Sequence, residues 1–241
     1  MAYEKMKKLR LIYRALRFRY KYDIDEIAYL LNTIKKDDTV LDIGGYKGVY
    51  TYWMAGAVGR QGKVHTFEPQ PELANYLIDM KDMMKWDWVT INNMGLSSTK
   101  GTATLNVPGI KPSPRATLEP NLIKDDIVIH TVKIDTLDNY YFGIGDKISF
   151  IKCDVEGHEL DVFKGGEGIL KRDKPILMFE CEGAHRANGS IDEVFSYLEG
   201  FLGYRGSFFL NGTLHDIKEF VPDKYQKNAD STLYINNFIF K

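Results

Sequence analysis

Several features that would narrow the function at once are scarce or missing in this chain. None of its apolar runs is long enough to cross a membrane, and no signal-peptide core opens it, so we expect a cytoplasmic protein without an integral membrane segment. The formal net charge of −1 lacks the basic excess typical of nucleic-acid binding, and no nucleic-acid partner is expected. The two cysteines, Cys153 and Cys181, fit neither a disulfide framework nor a metal site. We expect free, buried thiols.

What the chain does contain is a regular alternation of strand-like and helix-like apolar patterns. The predicted elements, in chain order, are a strand at 38–43, a helix at 48–57, a strand at 63–68, a helix at 70–84, strands at 88–93 and 148–154, a helix from about 158 to 170, a strand at 175–181, a helix at 191–198, and strands at 204–210 and 232–240. This order predicts an α/β fold, with a mostly parallel, Rossmann-like sheet and helices on both faces.

We divide the chain into an N-terminal helical segment and one larger domain. Residues 1–35 are predicted to form a helical cover, and residues 36–241 a single α/β domain. The stretch 101–134 interrupts the alternation with two extended segments that flank a proline-rich loop. Such a loop inside a compact domain is typical of a lid, so Ser113 and Arg115 are expected to face the substrate.

Positive charge is concentrated near the N-terminus. Residues 1–22 hold eight basic side chains and one acid. An apolar stripe recurs through them at helical spacing and consists of Met6, Leu9, Tyr13, Leu16 and Tyr20. A basic amphipathic helix of this kind either packs over the domain with its charged face in water or makes weak contact with an anionic membrane surface. We favour the packed helix.

One turn of the chain has the composition of a cofactor-binding loop. A predicted buried strand reaches Asp42 and passes into a helix through Gly44, Gly45 and Gly48. Glycines let a ligand approach the backbone closely. A dinucleotide fingerprint has no acid ahead of its glycines, because a carboxylate there would repel a pyrophosphate. The acid suits a ligand with an ammonium and a sulfonium, as in S-adenosylmethionine (SAM).

Acids are also predicted at the ends of other strands. Glu68 ends the next strand, where it could accept both hydroxyls of a ribose. With Asp42, Asp154 and Glu180, it places four acids at one edge of the sheet. Acids gathered in this way are unfavourable unless a cation or hydrogen-bond donors lie among them. The pattern predicts a cationic or hydroxyl-rich ligand, although each acid could also cap the helix that follows its strand.

A second run, FIKCDVEGHEL from Phe150 to Leu160, resembles the signature of the FkbM-type SAM-dependent methyltransferases. Further matching runs follow in the order expected of that family, at 40–48, 67–69, 93–97, 134–138 and 175–180. The resemblance covers about residues 36–182. It implies a class I SAM-methyltransferase fold, with a seven-stranded sheet whose last strand is antiparallel. It also implies O-methylation of a hydroxyl on a small molecule, natural product or sugar.

The resemblance further implies which positions bind SAM and its product, S-adenosylhomocysteine (SAH). The turn that holds the methionine part would consist of Asp42, Gly44, Gly45 and Gly48. Glu68 would bind the ribose. Asn93 lies where adenine is expected, and it could equally be a strand-ending turn residue. The family usually has Asn at the position of Tyr46, so a side-chain contact from that position is lost or replaced.

Methyl transfer to a hydroxyl requires that the acceptor lose a proton, either to a base or with help from a metal. The candidate catalytic residues are Asp154, Glu156, His158 and Glu180, and Asp154 would also border the cofactor. His158 is expected at a helix start, where the dipole favours the neutral form of a base, or else it only shapes the loop. A divalent ion on Asp154, Glu156 and Glu180 is an alternative that the sequence does not establish. The histidines predicted to be isolated are His65, His130, His185 and His215.

Two other functions remain open at this point. One is a nicotinamide-dependent oxidoreductase on a similar sheet, against which the acid before the glycines argues. The other is a catalytically silent protein that keeps the SAM fold and acts as a binding partner. The sequence predicts neither the acceptor, nor the methylated atom, nor the oligomeric state.

Overall fold

A large sheet flanked by helices organises the domain. A computed structural model describes residues 2–119, 126–141, 145–185, 190–227 and 233–241. The strands are β1 (Thr39–Ile43), β2 (Lys63–Phe67), β3 (Val89–Asn92), β4 (Gly95–Leu96), β5 (Gly101–Pro108), β6 (Ile127–Asp135), β7 (Ile148–Cys153), β8 (Ile176–Glu180), β9 (Gly206–Leu210), β10 (Thr213–Asp216) and β11 (Asn237–Phe240). The helices are α1 (Ala2–Arg17), α2 (Ile24–Thr33), α3 (Val49–Val58), α4 (Pro71–Met84), α5 (Leu137–Tyr141), α6 (Glu159–Gly165), α7 (Glu167–Asp173), α8 (Ile191–Ser196) and α9 (Pro222–Tyr225).

Five parallel strands form the centre of the main sheet, whose order is β10-β9-β11-β8-β7-β1-β2-β3. β1 lies between β2 and β7 and is parallel to both, and every residue of β1 is buried. β7 and β8 are also parallel, as are β2 and β3. The predicted mostly parallel, Rossmann-like sheet is therefore confirmed.

Two apolar layers cover the faces of this sheet. On one face, strand residues such as Val40 and Val64 pack against α1 to α4. On the other face, Leu41 and Ile151 pack against α5 to α8. Neighbouring residues of β1 thus enter opposite layers, as the pleat of a strand requires. As expected, both cysteines are buried thiols that do not form a disulfide.

The end of the chain closes the sheet with antiparallel strands. The last strand, β11, is antiparallel to both β8 and β9, as the resemblance implies. The sheet has eight strands rather than seven, because β9 turns back as β10 and adds an edge strand. Asn211 and Gly212 form that turn with φ angles of 51° and 78°. Positive φ at both positions is the geometry that an Asn-Gly hairpin adopts readily.

The helix predicted from about 158 to 170 is instead two short helices. A Cβ on Gly165 would lie 2.0 Å from the carbonyl oxygen of Ser97, so only glycine fits at this position. Gly166 ends α6 and precedes α7. The carboxylate of Asp138 then accepts the N–H groups of Gly168 and Ile169, both at 2.8 Å, and caps the second helix.

The insertion between β3 and β7 forms a small sheet of its own, in the order β4-β6-β5. β5 and β6 are antiparallel, so the two extended segments predicted at 101–134 pair with each other. Asn106 and Thr117 exchange backbone hydrogen bonds of 2.9 and 3.0 Å, which fold the proline-rich loop back over β5. Residues 120–125 of the predicted lid lie outside the described residues.

The N-terminal segment packs on the domain, but with a different face from the expected one. Leu11 and Ala15 are fully buried against α3 and α4, and the indole N–H of Trp53 donates to the Ala15 carbonyl at 3.2 Å. The predicted stripe is exposed instead, as Tyr13 at 67% and Leu9 at 56% show. The periodicity of apolar residues identifies one face of a helix but not the element that this face contacts. The prediction therefore chose the wrong face for packing. None of the helices in the described part of the chain is long and apolar enough to span a membrane.

Candidate active site

The carboxyl ends of neighbouring strands meet at one edge of the main sheet and border a cavity of about 240 Å³. Glu68 follows β2, Asp154 follows β7 and Glu180 ends β8, and all three line this cavity. Ligands of open parallel sheets bind at this edge. The sequence-predicted acids are therefore brought together, except that Asp42 lies below the surface of this cavity.

The glycine turn after β1 is shaped by close backbone contacts. Gly44 has φ +84°, and a Cβ there would lie 1.8 Å from the carbonyl oxygen of Asp154, so only glycine fits. The N–H groups of Gly44 and Gly45 donate to the carbonyl of Phe67 at 2.9 and 3.0 Å. Both amides are therefore occupied by hydrogen bonds within the protein. A ligand can still approach this turn closely, because the glycines carry no side chains. Gly48 precedes the first residue of α3.

The carboxylate of Glu68 is held by backbone donors. Its Oε2 accepts the N–H of Tyr46 at 2.8 Å, and its Oε1 accepts the N–H of Gln70 at 2.9 Å. The side chain is 2% exposed, and burial raises its pKa to about 7. Each carboxylate oxygen keeps a second lone pair, so the group can still accept hydrogen bonds from a diol in the cavity.

Asp42 is buried beneath the glycine turn. Its Oδ2 accepts the hydroxyl of Thr51 at 2.5 Å, and the carboxyl group is 2% exposed. Burial raises its pKa to about 6. Asp42 borders a second cavity, on the α1 side of the turn, rather than the cavity beside Glu68.

Asn93 uses its side chain on the backbone. Its Nδ2 donates to the carbonyl oxygens of Glu68 and Pro69 at 2.9 and 3.2 Å, and Asn93 is exposed and outside the cavity lining. This geometry is that of a turn residue. The apolar wall next to it comes from the following residues and from the insertion: Met94, Leu96, Leu105, Pro114, Ala116 and Leu118. Because these side chains are apolar, the wall could pack against a flat aromatic ring.

Three side-chain contacts tie the insertion to the site, and the sequence patterns pointed to none of them. The amide of Gln70 is bonded in both directions to the backbone of Ser113, at 3.0 Å each. The hydroxyl of Thr117 donates to the Glu156 carbonyl at 2.7 Å. Glu119 forms the third contact, with His158. Ser113 and Arg115 lie on this tied loop, outside the cavity lining.

Asp154 has a buried cation beside it. The Nζ of Lys152 lies 3.7 Å from Asp154 Oδ2, and Lys152 is 1% exposed while the Asp154 side chain is 35% exposed. Burial acts to lower the pKa of Lys152, but the charges of Asp154 and Glu180 outweigh it and raise the pKa. Lys152 therefore stays charged. A lysine within an apolar strand, two residues before the predicted base, was the sequence signal for it.

Glu156 and Glu180 are acids whose pKa values are raised. Burial raises the pKa of Glu156, and burial together with Asp154 raises that of Glu180 well above its usual range. His185 was predicted to be isolated, which is wrong, because its Nδ1 lies 2.9 Å from Glu156 Oε2. That hydrogen bond raises the pKa of His185. Glu182 lies 3.6 Å from its other ring nitrogen.

His158 lines the cavity with both ring nitrogens occupied. Nδ1 lies 2.7 Å from Glu119 Oε1, and Nε2 lies 3.0 Å from the hydroxyl of Ser97. The residue immediately precedes α6, as predicted. To accept a proton from a ligand, His158 would first have to give up one of these two hydrogen bonds.

Among the residues that the structure describes, two groups of side chains could hold a metal ion. Oxygens of Asp154, Glu156 and Glu180 lie within 4.8 Å of one another. Carboxylate oxygens are the preferred ligands of Mg²⁺ and Ca²⁺. The ammonium of Lys152 already places a positive charge beside this group. The second group consists of Glu119, His158 and Asp161.

Comparison with known families identifies the chain. A family model described as the methyltransferase FkbM domain matches residues 42–205. The protein belongs to the FkbM methyltransferase family. The match includes the glycine turn, Glu68 and all four candidate catalytic residues.

A curated relative is the hexuronic acid methyltransferase AglP of Haloferax volcanii. It is 30% identical over 149 residues, which are 61% of this chain and 57% of that protein. The chain thus spans little more than half the length of this relative.

Solved structures show the same fold. The methyltransferase FkbM from Methylobacillus flagellatus superposes with a TM-score of 0.54 at 16% identity, over 98% of this chain and 55% of that one. Cofactor-bound Rv0187 from MTB gives a TM-score of 0.51 at 13% identity, over 96% and 88% of the two chains. The class I SAM-methyltransferase fold is therefore confirmed.

The departure of this FkbM protein at Tyr46 has a geometric explanation. Tyr46 has φ 42°, in the left-handed region that Asn adopts more readily than other non-glycine residues. The contact that position 46 makes with Glu68 comes from its backbone N–H, which any such residue supplies. A tyrosine at this position therefore leaves the Glu68 hydrogen bond in place.

Proposed function

We propose that this protein is a SAM-dependent methyltransferase that O-methylates a hydroxyl group of a small molecule, natural product or sugar. The observation that carries the proposal is the fixed carboxylate of Glu68 beside an acid-bearing glycine turn. A nicotinamide cofactor fits this edge poorly, because the buried Asp42 and the neighbouring Asp154 would repel a pyrophosphate.

The residues around the cavity fit the parts of SAM. Glu68 would accept the ribose hydroxyls, and the apolar wall that includes Met94 and Leu96 would contact the adenine. The missing side chain at Gly44, which lines this cavity, would leave room for the methionine part above the buried Asp42. The bound cofactor supplies an electrophilic methyl group on sulfur.

Asp154 is our candidate for the general base. The acceptor hydroxyl would form an O–C bond to the methyl carbon as the C–S bond breaks toward sulfur, and its proton would pass to a carboxylate oxygen of Asp154. Lys152 holds that carboxylate in place from a buried position. Positioning of acceptor and donor supplies most of the acceleration in such an in-line displacement.

A sugar is the acceptor class that the name of one relative supports. AglP is a hexuronic acid methyltransferase by name, and it shares 30% identity with this chain over 149 residues. Because the chain spans 57% of that protein, the acceptor is carried over as a proposal.

The test is transfer of a labelled methyl group from SAM into a fractionated native lysate, followed by mass identification of the product. We expect one labelled product class with the methyl group on oxygen. SAH binding without transfer to any fraction would contradict the proposal and favour a silent SAM-fold binding protein. Parallel assays with Mg²⁺ and with EDTA separate the base route from a metal held by Asp154, Glu156 and Glu180.

A further inference from the structure

A second cavity opens on the other side of the glycine turn, and the N-terminal segment forms one of its walls. It encloses about 490 Å³ and shares Gly44, Tyr46, Asp154 and Glu180 with the cofactor cavity. The candidate base thus borders both spaces. An acceptor placed in the second cavity would meet a donor held in the first one at Asp154.

The outer wall of this second cavity is cationic. Arg10, Arg14 and Arg17 of α1 all line it, and their spacing places them on one face of the helix. Arg14 donates to the Lys47 carbonyl of the glycine turn and to the Tyr76 hydroxyl, both at 3.2 Å. This fixes the guanidinium at the cavity while leaving further N–H donors unused.

Arg10 and Arg17 are the more available cations of this wall. Both are exposed, and Arg17 contacts the hydroxyl and the ring of Tyr22. Among the side chains that the structure describes, Arg10 has no hydrogen-bond or ion-pair partner. A guanidinium at a cavity wall with unused N–H donors can bind an oxyanion that a ligand supplies.

The inner wall is acidic, because Asp23, Asp42, Asp154 and Glu180 line it. The first three have partners, and Asp42 accepts the hydroxyl of Thr51. Asp23 accepts the hydroxyl of Tyr50 at 3.0 Å, and Asp154 has the ammonium of Lys152. Burial raises the pKa of Asp23. The cavity is therefore polarised, with arginines at the α1 side and the candidate base at the sheet.

We propose that the second cavity binds an acceptor that carries an oxyanion, a carboxylate or a phosphate, with the anion on Arg10, Arg14 and Arg17 and the reacting hydroxyl at Asp154. Arginine matches both oxyanions through paired N–H donors. The position of the hydroxyl rests on the proposed function, whereas the anion site does not. The basic N-terminal helix would then select the substrate as well as cover the domain.

The test uses the full chain saturated with SAH and three tetrasaccharide probes. These are a tetrasaccharide of glucuronic acid, its neutral carboxyl-reduced form, and the neutral form phosphorylated at its reducing end. The variants are the double substitution Arg10→Gln/Arg17→Gln and the matched control Lys8→Gln. Lys8 is exposed on another face of the same helix and lies outside both cavities. Circular dichroism checks each variant for folding, and the affinity for SAH is measured as a separate readout.

We expect the wild type and Lys8→Gln to bind at least one acidic probe more tightly than the neutral one, and the double variant to lose that preference by about tenfold or more. Comparison of the glucuronic acid probe with the phosphorylated probe then shows whether the site prefers a carboxylate or a phosphate. Equal binding of acidic and neutral probes by the wild type would overturn the proposal. So would a double variant with normal probe binding and weaker SAH binding, since the arginines would then hold the carboxylate of the cofactor.

Failure of the anion site and failure of the methyltransferase proposal give different results. Binding needs no turnover, so an intact arginine-dependent preference without any methyl transfer supports the anion site and contradicts the enzyme proposal. Methyl transfer to neutral acceptors that the double variant leaves unchanged would support the enzyme proposal and contradict the anion site.

Discussion

The site has two halves that hold their acids in different ways. In the cofactor half, Glu68 is fixed by two backbone N–H groups, and Asp42 by a buried hydroxyl. In the catalytic half, Asp154 and Glu156 are held by the side chains of Lys152 and His185. Backbone donors move only with the main chain, whereas side-chain partners can rotate and exchange protons. The difference suggests a preformed cofactor site next to a catalytic half that can adjust its charge.

The largest effect should come from the catalytic half. Asp154→Asn keeps the shape and removes the charge, so we expect turnover on the identified acceptor to fall about a hundredfold or more. SAH affinity should change little, because a group that acts in the transition state contributes little to cofactor binding. The measurements are labelled-methyl transfer and calorimetry of SAH.

His158→Ala is the companion to that variant. It should lower turnover less than Asp154→Asn, because both ring nitrogens of His158 already bond to Glu119 and Ser97. A loss as large as that of Asp154→Asn would identify His158 as the base. Full turnover in Asp154→Asn would place the chemistry elsewhere, with Glu180 next to be tested.

The cofactor half should show its effect in binding. Glu68→Ala removes two ribose acceptors, and hydrogen bonds to a charged group contribute roughly 1.5–3 kcal/mol each. We expect calorimetry to show SAH binding at least about tenfold weaker, with the fold intact. Glu72→Ala, an exposed acid outside the cofactor cavity, is the control. Unchanged SAH affinity in Glu68→Ala would remove Glu68 from the site.

A smaller effect should appear as a pH dependence of cofactor binding. Burial raises the pKa of Glu68 to about 7 and that of Asp42 to about 6. The ionised carboxylate is the better hydrogen-bond acceptor, so SAH affinity should decrease several-fold as the pH falls from about 8 to 6. We expect calorimetry at constant ionic strength to show that Glu68→Gln loses the component of this pH dependence that is centred near pH 7. A flat wild-type profile would contradict the expected titration.

Deletion of residues 1–22 tests whether the N-terminal helix stabilises the fold beside the cofactor half of the site. Loss of a buried leucine such as Leu11 costs roughly 2–5 kcal/mol, which corresponds to a melting temperature lower by about 5 °C or more. Differential scanning calorimetry measures the shift. A deletion that melts like the wild type but loses salt-sensitive binding to anionic vesicles would favour membrane contact by the exposed stripe instead.

The parts of this molecule that could be predicted from sequence are those fixed by local patterns. Apolar strands that end in an acid, as at Asp42, Glu68 and Asp154, give both the sheet and the edge where ligands bind. The Asn211-Gly212 pair is also a local signal, which is typical of a tight turn but does not indicate the edge strand that follows it.

What sequence reasoning missed depends on contacts between distant segments. Gln70 meets Ser113 across 43 positions, and Glu119 meets His158 across 39. No short motif encodes such pairs, so the ties between the insertion and the site were not foreseen. The same limit explains His185, whose partner Glu156 comes from another loop.

The missing side chain at Gly44 links the two halves. A Cβ there would press on the backbone carbonyl of Asp154, which cannot move aside as a flexible side chain could. In a saturation library at this position, affinity for SAH and turnover should therefore decline together, even with alanine. Variation at the neighbouring Tyr46, which contributes its backbone N–H to Glu68, should be tolerated far more widely. Two positions apart in one turn, a site that admits only glycine is thus followed by a site limited only to residues that tolerate a positive φ angle.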